Sequence, residues 1–561
     1  MADSSFQNLA RSMMDEILSW DPSHATQVGW HKYDENLPDP TLAAIKFQID
    51  RLSGFVSTLK KVDPSPLSGD EQIDRDLAIH YFSVRLFELK ELKMHEKLSQ
   101  ASAEIGDSLF FLFSRDHPSF EKRLDSIACR LEAAPKFLEL SKTVVKTPYR
   151  LWNEIMHETG ERLPRFLGNI EALCEAKSKD RKVTARLRKT VKQTVESIQE
   201  HNQWIMEDVL PRADDKFTIG PELYREYLSA IGYGVTPEET VRVAEAHLKD
   251  VNRKKSDISK RIVPSGDLND ALKKMRRDHA PTFEGVLKEY RESAVKARQY
   301  VIQKDLVTVP EGEKLHILET PTFMRHLAPY AAQYEPGKFD NDKTGIFLVT
   351  PDEGNPSSLE DHSRVAIQNT TVHEGYPGHH LHGICANENP SYIRILDASP
   401  DFSEGWGLYT EDMMISQGYN DTPMGRLATL NDLAFRLARQ IADVKVSMNM
   451  MSLKEAADLI VRETGTEGKA AMAEAKAMAL SPTYYSSYFV GKLGVLQMRE
   501  DLEAVMGGKF SLKFFHDSLV YSGCMPNSFM RRAIGLRLKE KHGLTLGPPK
   551  ESVFEYGMRQ L

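Results

Sequence analysis

Apolar residues recur with a 3.6-residue period over long stretches of this chain, and a chain patterned that way folds mainly as helices packed along apolar stripes. Leu42, Ile45, Ile49, Leu52, Val56 and Leu59 keep the period up to Val62, with Asp39 and Pro40 placed as cap and first-turn proline. Thr236-Pro237-Glu238-Glu239 is a capping box, and Val241, Ala244, Leu248 and Val251 follow on one face. Ser452-Leu453-Lys454-Glu455 opens another helix in the same way, with Gly465 placed to end it. One region departs from the pattern. Leu315–Glu319 alternates up to Thr320-Pro321, and Gly345–Thr350 is rich in β-formers up to Pro351. Pro336-Gly337 and Asp340-Asn341-Asp342 between them are turn signals, so a small antiparallel sheet is expected at about residues 305–350.

With 561 residues, 41% hydrophobic and 27% charged, the chain can bury a large core under a wet surface, which excludes disordered and fibrous proteins. At ~150 residues per domain it holds roughly three to four domain-sized units. The net charge of −8 argues against a nucleic-acid binder driven by phosphate neutralisation. The basic run Lys177–Lys192 reads as a solvated helix face with Val183, Leu187 and Val191 turned inward. Four cysteines with no C-x-x-C pair are too few for a disulfide scaffold. The start, Met1–Phe6, lacks the basic and apolar regions of a secretion signal, and no window of ~18 uncharged apolar residues suggests a membrane span. A cytoplasmic protein with no membrane partner is the expectation.

Chemistry concentrates in Thr371-Val372-His373-Glu374-Gly375-Tyr376-Pro377-Gly378-His379-His380-Leu381-His382, with four histidines and a glutamate inside ten residues. Neutral imidazole suits Zn²⁺, and catalytic zinc commonly takes three protein ligands. In H-E-x-x-H two histidines one helical turn apart hold the metal, and the glutamate between them is the general base. Here proline occupies position 377, where the second histidine would fall, and the pattern becomes H-E-x-x-P-G-H. On an ideal helix His379 lies about 120° from His373 and His380 about 20° from it. Ideal phase favours His380, but Pro377 and Gly378 distort the turn and leave His379 and His380 both open. A third, carboxylate ligand fits in Ser403-Glu404-Gly405-Trp406-Gly407-Leu408-Tyr409-Thr410-Glu411. Glu404 and Glu411 share a helix face, so one can ligate while the other supports a ligand histidine.

These residues resemble the bacterial and archaeal domain of unknown function 885 family, grouped with zincin metallopeptidases of the gluzincin kind. Its pattern resembles H-E-x-x-P-G-H-x-x-Q followed by E-G-W-A-L-Y-x-E. His373, Glu374, Pro377, Gly378 and His379 match the first part, and Glu404, Gly405, Trp406, Leu408, Tyr409 and Glu411 the second. Arg436, Arg439 and Asp443 resemble its R-x-x-R-x-x-x-D helix, and Pro482-Thr483-Tyr484, Tyr488 and Gly491-Lys492 its P-T-Y-x-x-x-Y-x-x-G-K segment. Phe515-His516, Gly523 and Pro526 resemble its closing element. His382 stands where the family often has glutamine, and Ser447 where many members have histidine. The resemblance covers roughly residues 215–535, and it implies His373, His379 and Glu404 as ligands, with His379 preferred over His380.

What the resemblance implies is a mainly α, two-lobed, zincin-like helical fold with the small antiparallel sheet beside the active site. Residues 1–210 would form an N-terminal helical lobe and 211–304 a connecting helical segment. Residues 305–355 would be the sheet insertion, and 356–561 the catalytic lobe. The expected activity is zinc-dependent hydrolysis of short peptides, carboxypeptidase- or oligopeptidase-like, with one Zn²⁺ per chain and Glu374 as general base. Tyr488, Tyr484 and His516 are the expected donors to the tetrahedral intermediate, and Arg436 or Arg439 can either pair with a substrate carboxylate or form a structural salt bridge. The strand at Leu315–Glu319 can pair with an extended peptide. A peptide is the expected partner, with no nucleic acid or membrane, and a homodimer is allowed. The alternatives are a metal-dependent hydrolase of a non-peptide amide and a degenerate metal-binding scaffold.

Overall fold

The run Thr344–Val349 is apolar without alternation because both of its faces are covered. In the computed structural model it is β3, the middle strand of a three-stranded sheet of order β1-β3-β2, where β1 is Lys314–Glu319 and β2 is Ala331–Tyr334. Phe347 and Val349 point into the largest core, while Ile346 and Leu348 point into a second core formed by helices between Ala101 and Ile198. The structure describes residues 5–115, 118–321, 325, 330–351, 356–396 and 399–561, with side chains of 356–358 left aside. Met1–Ser4, on which much of the reading of the chain start rests, lie outside the described residues.

The sheet is mixed, which corrects the antiparallel expectation. β2 pairs antiparallel with β3, Ala331 opposite Val349, but β1 runs parallel to β3, Lys314 opposite Thr344. A tight turn permits only antiparallel neighbours, whereas the long connection from Thr320 to Lys343 lets the chain cross over and return in the same direction. β2, rather than β1, is the edge that faces the cavity described below.

Among the described residues the remaining regular elements are helices, apart from two isolated β-bridges. Thr236 and Ser452 close the capping boxes of helices Pro237–Ser259 and Leu453–Thr464, and Gly465 ends the latter at φ 69°. Helix Leu42–Lys61 is capped by Thr41, two residues beyond the expected Asp39. Asp39 instead accepts the Thr41 N–H at 2.9 Å and sets the approach to the cap. In helix Arg181–Trp204 the basic side chains pair locally, Arg186 with Asp125 and Glu132 and Arg188 with Glu175, while Leu187 and Val191 are buried.

The largest core draws on both ends of the chain. Phe6, Leu18, Leu52 and Phe82 pack in one cluster with Phe347, Trp406, Phe515 and Ile534. The first 82 residues therefore pack on the site helices as well as on the helices that follow them in sequence, where Arg130 donates to Pro22 O and Thr26. His31 fastens this layer. Its Nδ1 and Nε2 each lie 2.7 Å from a carboxylate, Asp34 and Asp340. Burial opposes the charge, but the two hydrogen-bonded carboxylates hold the imidazolium up at about 9. Among the described residues no helix is long and apolar enough to cross a membrane.

Candidate metal centre

The helix Arg364–Glu374 stops one residue after His373 and is capped by Gly375, and a new helix, His379–Asn387, begins four residues beyond that glycine. The H-E-x-x-P-G-H pattern is thus two helices joined by a loop, and helical phase does not relate its histidines. The Gly375 N–H donates to Thr371 O at 2.9 Å and the Gly378 N–H to Val372 O at 3.0 Å, folding the loop back on the first helix. The Tyr376–Pro377 peptide is cis, and the Trp406 indole N–H donates to Pro377 O at 2.9 Å.

This loop brings His379 to His373, with ring centroids 4.7 Å apart and planes nearly perpendicular. Helix Pro400–Ser416 supplies Glu404, whose Oε2 lies 3.2 Å from His379 Nε2 and 3.5 Å from His373 Nε2. One donor atom from each of His373, His379 and Glu404 falls within 4.8 Å of the others. Tetrahedral zinc with ligand distances of about 2.0–2.1 Å places its donors about 3.3 Å apart, so the three residues fit that ion. His380 turns the other way, 2.9 Å from Glu313 and fully buried, which separates the two histidines that phase left open.

Glu411, one helical heptad beyond Glu404, lies 2.8 Å from His373 Nδ1. That contact assigns a proton to Nδ1 and leaves Nε2 as the ring atom turned to Glu404 and available to a metal. Asn369 holds Glu411 in turn, donating to its Oε2 at 2.8 Å and to Asp432 at 2.6 Å. Sequence reasoning missed Asn369. It sits four residues before His373, and that spacing on one helix face was the available signal. Burial resists charge on His373, but the Glu404 and Glu411 hydrogen bonds hold it up at about 9. Glu404 is likewise kept well below the usual carboxylate range, against burial, by His379 and His373.

Two close approaches explain the glycines of E-G-W-G. A Cβ on Gly407 would lie 2.7 Å from His373 Cε1. Gly405 meets Gly491 of helix Tyr484–Met506, where a Cβ on Gly491 would sit 1.9 Å from Asp401 O. This crossing sets the tyrosine-bearing helix directly against the ligand helix, and Lys492 pairs with Asp412 beside it. Asp443, at the end of R-x-x-R-x-x-x-D, accepts the Thr483 and Ser486 backbone N–H groups at 3.1 Å and so caps the start of that same helix.

The site opens into a cavity of about 750 Å³ lined by His373, Glu374, His379, Glu404, Tyr484, Tyr488, Arg436 and Arg439 and by all of β2. No hydrogen bond or ion pair engages the Glu374 carboxylate among the described residues. Tyr484 donates its hydroxyl to Glu404 Oε1. The Tyr488 hydroxyl is 3.5 Å from that of Tyr484, and its ring stacks at 6.5 Å on His373. Burial and nearby Glu404 push both phenols upward, so they stay protonated donors.

His516 does not join them, which corrects the expectation for it. It is fully buried behind Trp406, with Nδ1 2.8 Å from Leu306 O and Nε2 2.8 Å from the Tyr409 hydroxyl. Burial pushes it down to about 4. With both nitrogens engaged and no face on the cavity, it is a packing residue. His382 lines the cavity wall but is turned to Gly523 O at 3.2 Å.

Two solved structures share this fold closely. A protein from Shewanella oneidensis described as a "putative lipoprotein of unknown function" is 21% identical, with a TM-score of 0.77, over 94% of this chain and 99% of that one. A "putative lipoprotein" from Colwellia psychrerythraea is 17% identical, with a TM-score of 0.80, over 96% of this chain and 100% of that one. A Pyrococcus furiosus carboxypeptidase, 12% identical over 100% of this chain and 98% of its own, reaches a TM-score of only 0.36 and carries no weight for function. No curated protein matches the sequence. The chain belongs to the family described as bacterial protein of unknown function, DUF885, whose pattern it matches over residues 22–534.

Proposed function

We propose that this protein is a zinc-dependent peptidase acting on short peptides. The observation that carries the reading is the convergence of His373, His379 and Glu404 on one point, backed by Glu411, with Glu374 open to the same cavity. A purely structural zinc site is closed by four protein ligands and needs no neighbouring base. Three ligands and an adjacent free carboxylate are the arrangement of a hydrolytic site.

Zinc held there supplies Lewis acidity and lowers the pKa of water toward ~7. Glu374 is placed to take the proton from the attacking water and return it to the leaving nitrogen. Tyr488, a neutral phenol over His373, is the donor best placed for the developing oxyanion. Tyr484 spends its proton on Glu404 Oε1 and positions that ligand. The edge strand β2 runs along the cavity wall, where an extended peptide can pair with its backbone. The cavity's size suits a short peptide and excludes a folded protein.

Glu374→Gln is the test. Zinc-loaded variant and parent are compared on a panel of short peptides. Turnover should fall by ~10²–10⁴-fold with zinc content and melting temperature unchanged; a variant as active as the parent refutes the base and the hydrolytic reading with it.

A further inference from the structure

Helix Pro423–Ser447 presents two arginines that the hydrolytic step does not use, Arg436 and Arg439. Three residues apart, they share a helix face, and both line the cavity. The Arg439 side chain is 9% exposed. The rings of Phe435, Tyr485 and Tyr488 surround its guanidinium at 4.5, 4.9 and 4.8 Å. These contacts fix the plane of the group.

A charge buried this deeply is expected to be fully paired. Among the described residues the pairing here is thin. Nη1 donates to Glu474 at 3.2 Å, and Nε has no hydrogen-bond acceptor. Arg436 repeats the pattern. Its Nη1 donates to the Asp432 backbone carbonyl at 3.4 Å, but its terminal nitrogens are 3.7 Å from the Glu411 carboxylate and 3.9 Å from that of Asp432, beyond hydrogen-bonding range, and its Nε lacks an acceptor. Two adjacent, immobilised guanidinium groups with donors to spare are the protein's half of a carboxylate clamp.

The spacing fits a peptide lying across the metal site. The Tyr488 ring is 6.5 Å from the His373 ring and 4.8 Å from Arg439 Cζ. Extended chain covers ~3.3–3.6 Å per residue, so a carboxylate on Arg439 lies within about three residues of the ligand histidine. We propose that Arg439, with Arg436 beside it, binds a carboxylate of the substrate, either a free C-terminus or an acidic side chain close to the bond that is cut. This rests on the peptidase reading and narrows its substrates to peptides that carry such a group.

Binding tests the proposal without turnover. Zinc-loaded Glu374→Gln protein is titrated calorimetrically with trialanine, trialanine amide and Ala-Glu-Ala amide, alone and with Arg439→Gln or Arg439→Lys added. At least one carboxylate-bearing peptide should bind tenfold or more tightly than trialanine amide. Tight binding by trialanine identifies the terminus as the ligand, and tight binding by Ala-Glu-Ala amide identifies the side chain. Arg439→Gln should bring the ratio within twofold, and Arg439→Lys, which keeps charge but not the planar fork, should reduce it at least threefold. If Arg439→Gln does not fold, the lysine variant decides. Carboxylate peptides that bind no better than the neutral amide, or bind not at all, overturn the proposal, as does a ratio that survives the substitutions. Failure of the peptidase reading would show separately, as zinc-loaded parent protein that cleaves no peptide.

Discussion

Glu411→Gln probes the support of the site without touching a ligand. The Glu411 carboxylate accepts from two buried donors, His373 Nδ1–H and Asn369 Nδ2–H, both at 2.8 Å. A glutamine of the same shape has one acceptor oxygen. If that oxygen serves His373, its NH₂ meets the NH₂ of Asn369. Asn369 cannot escape by rotating its amide, because Nδ2 also donates to Asp432 and Oδ1 accepts from Thr429. One buried donor is left without a partner, at a cost of ~1–3 kcal/mol. If His373 loses its acceptor instead, its tautomer and orientation are no longer set, and metal affinity falls by ~10–100-fold. The two outcomes share one cause, so the expected result is weaker zinc binding together with modest destabilisation. Competition titration against a chelating fluorophore measures the first, and thermal unfolding of the apo-protein the second. A variant whose zinc affinity and apo stability both stay within twofold and ~0.5 kcal/mol of the parent would refute the assignment of Glu411 as the group that orients His373.

Gly407→Ala should disturb the site more than the fold. Its Cβ meets the His373 ring at 2.7 Å, so zinc affinity measured by the same competition should drop at least tenfold, while unfolding shifts by the ~1–3 kcal/mol typical of overpacking. The His31 link makes stability depend on pH. Its folded pKa of about 9 exceeds the ordinary 6.5, so its contribution is complete below pH 6.5 and disappears as pH rises through 9. With the side chain 18% exposed, solvent screening reduces that contribution to ~1–2 kcal/mol. Urea unfolding of parent and His31→Gln should therefore converge by that amount between pH 6 and 9.5, and a gap independent of pH would count against the ion pair.

Local signals read most directly. The capping boxes at Thr236 and Ser452 lie where they were expected because such caps use only residues within one turn. The convergence of His373, His379 and Glu404 was also legible, since a metal-binding pattern restricts residue type as well as spacing. What the sequence hid depends on distant partners. The parallel pairing of β1 with β3 is decided by a crossover whose path no local pattern records. The choice between His379 and His380 depended on a loop that ends one helix and starts another, which helical phase cannot describe. His516 was misjudged for a related reason. A buried histidine satisfied by Leu306 O and Tyr409 has the same letter as a catalytic one, and only the fold reveals that it faces the core. Asp443 was recognised as part of a pattern, but its task of capping the tyrosine helix became visible only when Thr483 and Ser486 were placed beside it.

The most direct test is metal content with its location. Protein purified without chelators and re-equilibrated with a mixture of divalent ions should hold one zinc per chain by elemental analysis, and anomalous diffraction at the zinc edge should place it between His373 Nε2, His379 Nε2 and Glu404. Protein that retains no stoichiometric divalent ion, or that keeps it after all three ligands are replaced, would contradict the account.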